Sequence, residues 1–84
     1  MADFALRVAT PEGLLVDERA TEAQIPCLNG YIGVLPEHAP LLSELASGTL
    51  SWNAGGQTKK VEISGGFVEV LGDRVLVLAD SAQQ

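Results

Sequence analysis

This chain of 84 residues has one cysteine, one histidine and only five Lys or Arg. With Cys27 alone, no internal disulfide can form. Cys27 and His38 together fall short of the three or four thiolates and imidazoles of a zinc site, so no metal centre is expected. The lack of disulfide staples fits a reducing compartment. Against the five cations stand eleven Asp or Glu, which leaves a formal charge of −6 and a pI near 4.4. Phosphate binding needs clustered Lys and Arg, so nucleic acid is excluded as a partner class. An anionic lipid surface is excluded for the same reason. No apolar run approaches the ~20 residues of a membrane-crossing helix, so no direct membrane insertion is expected. A basic start followed by an apolar stretch and a small-residue cleavage site is also missing, which argues against a signal peptide. No window carries an amphipathic helix, and no repeat, low-complexity stretch or linker interrupts the chain. Residues 1–84 therefore read as one domain.

Hydrophobic residues make up 46% and charged residues 19%, which is the composition of a folding chain. The dominant period is two. Phe4, Leu6 and Val8 share one face of a strand while Arg7 points the other way. Thr10-Pro11-Glu12-Gly13 reads as a turn, followed by a short strand over Leu14–Asp17. Alternation resumes at Glu22–Cys27, with Ala23, Ile25 and Cys27 together. Pro26 has no N–H to donate, so this strand lies at an edge or ends there. Asn29-Gly30 opens a tight turn into Tyr31–Leu35. Pro36-Glu37-His38-Ala39-Pro40 reads as a rigid corner. Leu41–Leu45 fits either a strand or one helical turn. Thr49–Asn53 and Thr58–Ile63 flank Ala54-Gly55-Gly56-Gln57, a hairpin signal. Ser64-Gly65-Gly66 is a kink or bulge between strands. Phe67–Leu71 and Arg74–Ala79 form a second hairpin around Gly72-Asp73. Val75-Leu76-Val77-Leu78 is apolar on both faces, which predicts a central strand covered on both sides. Many short strands with frequent turns define an all-β fold, a sandwich or a barrel.

Little in these residues supports catalysis. Glu37 and His38 adjoin in a loop, but a general base needs an oriented nucleophile or substrate, and none is suggested. The plain reading of His38 is an imidazole bonded to backbone or to a partner. Cys27 reads as a small buried hydrophobe. Gly30-Tyr31-Ile32-Gly33 and Gly65-Gly66 lead into strands, with no Lys-Ser/Thr pair and helix after them, so they do not cradle phosphate. Trp52 fits a core position and a partner contact equally. Tyr31 and Ile32 put apolar area at a turn that is normally polar, which suggests a docking surface, although Ile32 folds back into a core more naturally. Lys59 and Lys60 follow a hairpin, as the modified lysine of a lipoyl or biotinyl carrier does. They lack that carrier's flanking pattern and read better as a solvated edge that discourages strand addition.

The segment Gly30-Tyr31-Ile32-Gly33-Val34-Leu35-Pro36-Glu37-His38-Ala39-Pro40-Leu41-Leu42 resembles the signature loop of the epsilon subunits of rotary, F-type ATP synthases. A second stretch agrees in order and spacing. Ile63-Ser64-Gly65-Gly66-Phe67-Val68-Glu69-Val70 and Val75-Leu76-Val77-Leu78-Ala79-Asp80-Ser81-Ala82 are similar to that family's Ser-Gly-Gly-Phe-x-Glu-Val and Val-x-Val-Leu-Ala-Asp segments. The Thr10–Gly13 turn and Gly48 before Thr49-Leu50 fit as well, so the resemblance covers nearly the whole chain.

The resemblance implies a two-sheet β-sandwich of about ten short strands. It implies a non-catalytic central-stalk subunit that docks gamma onto the polar loops of the membrane c-ring and couples rotation to ATP synthesis, with the catalytic nucleotide sites on other subunits. It places the protein peripherally on the cytoplasmic face of an energy-coupling membrane, the bacterial inner membrane, with no cofactor and no nucleotide of its own. Asn29, Gly30, Tyr31 and Ile32 become the candidate c-ring contact. Glu37, His38, Ala39, Pro40, Leu41, Leu42 and Ser43 become the candidate gamma contact, where Pro36 and Pro40 pre-order the corner and lower the entropy cost of docking. Two departures stand out. Tyr31 occupies a position that is often acidic in that family. The sequence stops at Gln84, before the helical hairpin that usually follows Leu78-Ala79-Asp80-Ser81-Ala82 in that family. It reads as a short epsilon or as a fragment cut at the domain boundary, and in both cases assembly and coupling are expected without hairpin-type inhibition of hydrolysis.

Overall fold

The computed structural model describes residues 2–84, all of them in strands, turns or short connections. Eight strands follow in order: β1 (Phe4–Thr10), β2 (Gly13–Ala20), β3 (Glu22–Cys27), β4 (Gly30–Val34), β5 (Leu41–Glu44), β6 (Gly48–Ala54), β7 (Gln57–Leu71) and β8 (Arg74–Gln83). The hydrogen-bonded order is β2-β1-β8-β7-β6-β3-β4, with β5 added on β7. All pairs are antiparallel except β1 with β8, which is parallel and sets Leu6 beside Val75 and Val8 beside Val77.

Two strands serve both halves of the fold. The first part of β7 pairs with β6 from Ala54↔Gln57 to Gly48↔Ile63. Its last part pairs with β5 from Glu44↔Phe67 to Leu41↔Val70. On its other edge β8 follows it without a change of register from Glu62↔Gln83 to Leu71↔Arg74. Between the two parts the buried face changes parity: Val61 and Ile63 are buried before it, Val68 and Val70 after it. Gly65 and Gly66 make that change, with φ of 69° and 112°. A Cβ at Gly66 would stand 2.0 Å from the Leu78 carbonyl oxygen, so no side chain fits. The expected kink is thus real, but it lies inside one continuous strand and carries no bulge. The one register irregularity among the described pairs is at β1–β2, where Val8 pairs Val16 and Ala9 pairs Leu14, leaving Leu15 extra.

The sheet folds over at this kink and its halves enclose one core: Phe4, Leu6, Val8, Ile25, Leu50, Trp52, Val61, Val68, Val75 and Val77 among others. This is the predicted β-sandwich. Eight strands replace about ten because β7 and β8 each run through both layers. Leu41–Glu44 is a strand, which settles that ambiguity. Trp52 is 3% exposed and belongs to the core, so its reading as a partner contact falls. Pro26 sits beyond the Glu22–Gln24 stretch that pairs with β6, where a missing N–H costs nothing. One expectation is overturned. β8 is central, but only its Val75, Val77 and Ala79 face is covered. Leu78 on the other face is 50% exposed, because among the described residues no layer packs on that side.

Candidate partner interface

The turn between β3 and β4 and the corner between β4 and β5 occupy opposite ends of β4. Five residues of strand separate them, about 17 Å at the usual rise. At the turn, Leu28 N–H donates to the Glu44 carbonyl at 3.2 Å and Ala46 N–H to the Pro26 carbonyl at 3.0 Å, which straps the turn onto the end of β5. Leu28 and Asn29 line a shallow hollow with Leu42, Ser43, Glu44 and Phe67. Residues assigned from sequence to two different contacts, Asn29 on one side and Leu42 and Ser43 on the other, therefore share one surface.

Tyr31 is 57% exposed, yet its hydroxyl is not free. It accepts from the Thr49 N–H at 3.0 Å and lies across Gly48, where a Cβ would approach that hydroxyl to 2.6 Å. Glycine at 48 is what lets the ring lie down. Ile32 is half-buried and packs on the core, as expected.

At the other end, Leu35–His38 is a turn closed by His38 N–H donating to the Leu35 carbonyl at 3.1 Å. Pro36 takes the second position. Glu37 takes the third with φ 67°, the place that type II turns give to glycine. A side chain in this left-handed region costs about 1–2 kcal/mol. His38 Nδ1–H donates to the Ala39 carbonyl at 2.6 Å, so the imidazole is used locally to hold the corner. The corner forms one wall of a hollow of about 470 Å³, and Ala2, Asp3, Gly72 and Asp73 form the other. The β7–β8 hairpin tip and the N-terminal residues are thus neighbours of the corner, which no sequence spacing signals. Arg19 Nη2 bridges Asp3 at 2.6 Å and Asp73 at 3.5 Å. After the corner, Leu41 is half-buried against the core and Ser43 is half-buried, while Leu42 is 72% exposed.

The outer face of the β5-β7-β8-β1 layer joins these two ends. Phe67 pairs with Leu78, Leu42 with Glu69, Glu69 with Leu76 and Leu71 with Arg74 across it. Phe67 is 51% exposed, and Leu42, Leu71 and Leu78 are exposed beside it. Glu44, Glu69 and Arg74 stand among these side chains, so the face is apolar in patches with charges between them. Exposed apolar area of this kind is typical of surfaces at which proteins meet. Leu76 and Leu78 read as interior from sequence because apolar residues on both faces of a strand ordinarily signal double coverage. Among the described residues, no group of His, Cys, Asp and Glu is arranged to hold a metal ion.

These features define a β-sandwich domain with one buried core and exposed apolar side chains on an outer face between a strapped turn and a proline-bounded corner. The family model described as "ATP synthase, Delta/Epsilon chain, beta-sandwich domain" matches residues 3–84, and the chain belongs to that family. The ATP synthase epsilon chain of Solibacter usitatus is 54% identical over 79 residues, covering 94% of this chain and 59% of that protein. The epsilon chain of Koribacter versatilis is 46% identical over 85 residues, covering all of this chain and 60% of the relative. A chain of the Euglena gracilis mitochondrial ATP synthase, solved with its OSCP, F1 and c-ring parts, superposes with a TM-score of 0.89 at 28% identity, over 98% of this chain and 53% of that one. A chain of the Tetrahymena thermophila central stalk and c-ring assembly shares the fold with a TM-score of 0.79 at 12% identity, over 94% of this chain and 64% of that one. The 84 residues span about three fifths of the length of these epsilon chains. Family membership sets aside the lipoyl or biotinyl carrier reading. Lys59 and Lys60 lie within β7 and not at a hairpin tip, and Lys59 is paired with Glu18 at 3.0 Å.

Proposed function

We propose that this domain is a non-catalytic rotor element of an ATP synthase, which seats the gamma subunit on the polar loops of the c-ring and so couples rotation to ATP synthesis. The observation that carries the reading is the set of exposed apolar side chains Leu42, Phe67 and Leu78 on the outer face, of which Leu42 and Phe67 share a hollow with Leu28 and Asn29 of the turn. The corner Glu37, His38, Ala39, Pro40, Leu41, Leu42 and Ser43 takes gamma. The turn Asn29, Gly30, Tyr31 and Ile32 takes the c-ring. With its hydroxyl engaged by Thr49, Tyr31 offers the c-ring loop ring area and no charge. The domain works peripherally at the cytoplasmic face of the bacterial inner membrane and binds neither nucleotide nor cofactor.

The test is capture of purified gamma subunit by the tagged chain, with Leu42→Asp and His38→Ala alongside. Stoichiometric capture by the unmodified chain, abolished in Leu42→Asp with folding intact, is the expected result. Absence of capture by a folded chain overturns the reading. We further propose that these 84 residues alone do not inhibit ATP hydrolysis. Strong inhibition of a reconstituted catalytic head, relieved by changing the last few residues, would sink that claim.

A further inference from the structure

We infer that Glu37 is held in a strained backbone conformation because its carboxylate is a docking contact for an Arg or Lys side chain of the partner that seats on the corner, an inference that rests on the gamma-docking reading. Among the described residues, eight have φ in the left-handed range: Gly13, Gly30, Gly55, Gly56, Gly65, Gly66, Gly72 and Glu37. Seven are glycine, so the chain meets this backbone demand with glycine everywhere but here. Glycine at 37 would satisfy the type II turn without strain. Nothing inside the domain compensates for the choice of Glu. Its side chain has no ion pair or hydrogen bond among the described residues, and it is exposed. Strain that the fold does not need is most often kept where a site uses it.

The surroundings set the chemistry of the partner group. Asp3 and Asp73, across the hollow, are already engaged by Arg19. His38 spends Nδ1–H on Ala39. Among the described residues, Glu37 is therefore the one carboxylate lining the hollow with no cation beside it. The wall beside it is Ala39 and Pro40, with Ala2 and Gly72 opposite. Apolar stretches at Ala2, Ala39 and Pro40, beside a carboxylate that has no partner among the described residues, match a long aliphatic stem ending in a positive charge, which is the form of Arg and Lys.

The experiment pairs melting temperature with affinity for purified gamma subunit, for the full chain and for Glu37→Gly and Glu37→Gln, across a salt series. Glu37→Gly is expected to melt about 4 °C higher and to bind about fivefold more weakly. Glu37→Gln keeps the strain and loses the charge. It is expected to melt with the unmodified chain, bind about fivefold more weakly, and lose part of the salt dependence of binding. If the unmodified chain binds and both variants bind equally well, the contact is overturned while the docking reading stands. If Glu37→Gly melts no higher, the strain argument is overturned. If the unmodified, folded chain does not bind gamma, the docking reading falls and this inference falls with it.

Discussion

The carboxylate of Glu18 accepts from Trp52 Nε1–H at 2.6 Å and from Lys59 Nζ at 3.0 Å. It thereby ties the edge strand β2 to β6 and β7 across the open side of the sandwich. The Trp52 hydrogen bond foremost, and then that from Lys59, hold the Glu18 carboxyl below its ordinary pKa. A folded-state pKa below the unfolded one means stability that is present above the unfolded value of about 4.3 and lost as pH falls through the folded value. Glu18→Gln is accordingly expected to melt below the unmodified chain at pH 7, with the gap closing as pH drops below about 4. Thermal melts followed by the fluorescence of Trp52, the only tryptophan in the chain, measure both curves. A gap that is constant with pH contradicts the ionic account. Tyr31 supplies a milder case. Tyr31→Phe removes the acceptor for the Thr49 N–H at a position open to water, so urea titration should show a loss of about 1 kcal/mol at most. Tyr31→Glu should leave the domain folded and change only what docks at the turn. Loss of the fold in that variant would assign the ring a core role.

At the scale of the element, the decisive feature is the Gly65-Gly66 kink that moves β7 from one layer to the other. Gly66→Ala places a methyl group within 2.0 Å of the Leu78 carbonyl oxygen at φ 112°. We expect a loss of 4 kcal/mol or more, roughly the upper limit for single substitutions, read as absence of a cooperative urea transition. Ala5→Ser, on a strand face without such crowding, should stay within about 0.5 kcal/mol of the unmodified chain. Most strands were legible before the structure because alternation is a local signal. Phe4, Leu6 and Val8, and Ala23, Ile25 and Cys27, point inward as their spacing predicts. The Gly55-Gly56 hairpin was legible for a similar reason: both residues take positive φ, the turn that a two-residue loop demands. Layer membership was not legible. Whether Leu76 and Leu78 meet a second layer depends on which chain supplies it, and alternation within a strand carries no such information. The hollow at the corner was hidden too, since Asp3, Glu37 and Asp73 come together only through the parallel β1–β8 pair and the hairpin beside it.

For the whole molecule, the outer face separates stability from assembly. Leu78→Asp and Phe67→Ser alter side chains that are half in water already, so stability should fall by only about 1 kcal/mol, half of what full burial contributes. Both should reduce gamma capture and raise solubility, which co-sedimentation and a simple concentration limit can measure. Unchanged capture would confine the interface to the corner and the turn. The parallel pairing of β1 with β8 has a consequence in time. During synthesis β1 leaves the ribosome well before its partner along Arg74–Leu78, which belongs to the last strand of this domain. Until β8 emerges, β1 has only β2 beside it, a lone hairpin of marginal stability, with one edge bare. Closure must then join residues some 70 positions apart, a long-range contact of the kind that slows folding. A nascent chain of this domain is thus most exposed to wrong strand pairing just before its final strand emerges, and that is the interval in which a holding chaperone would matter most.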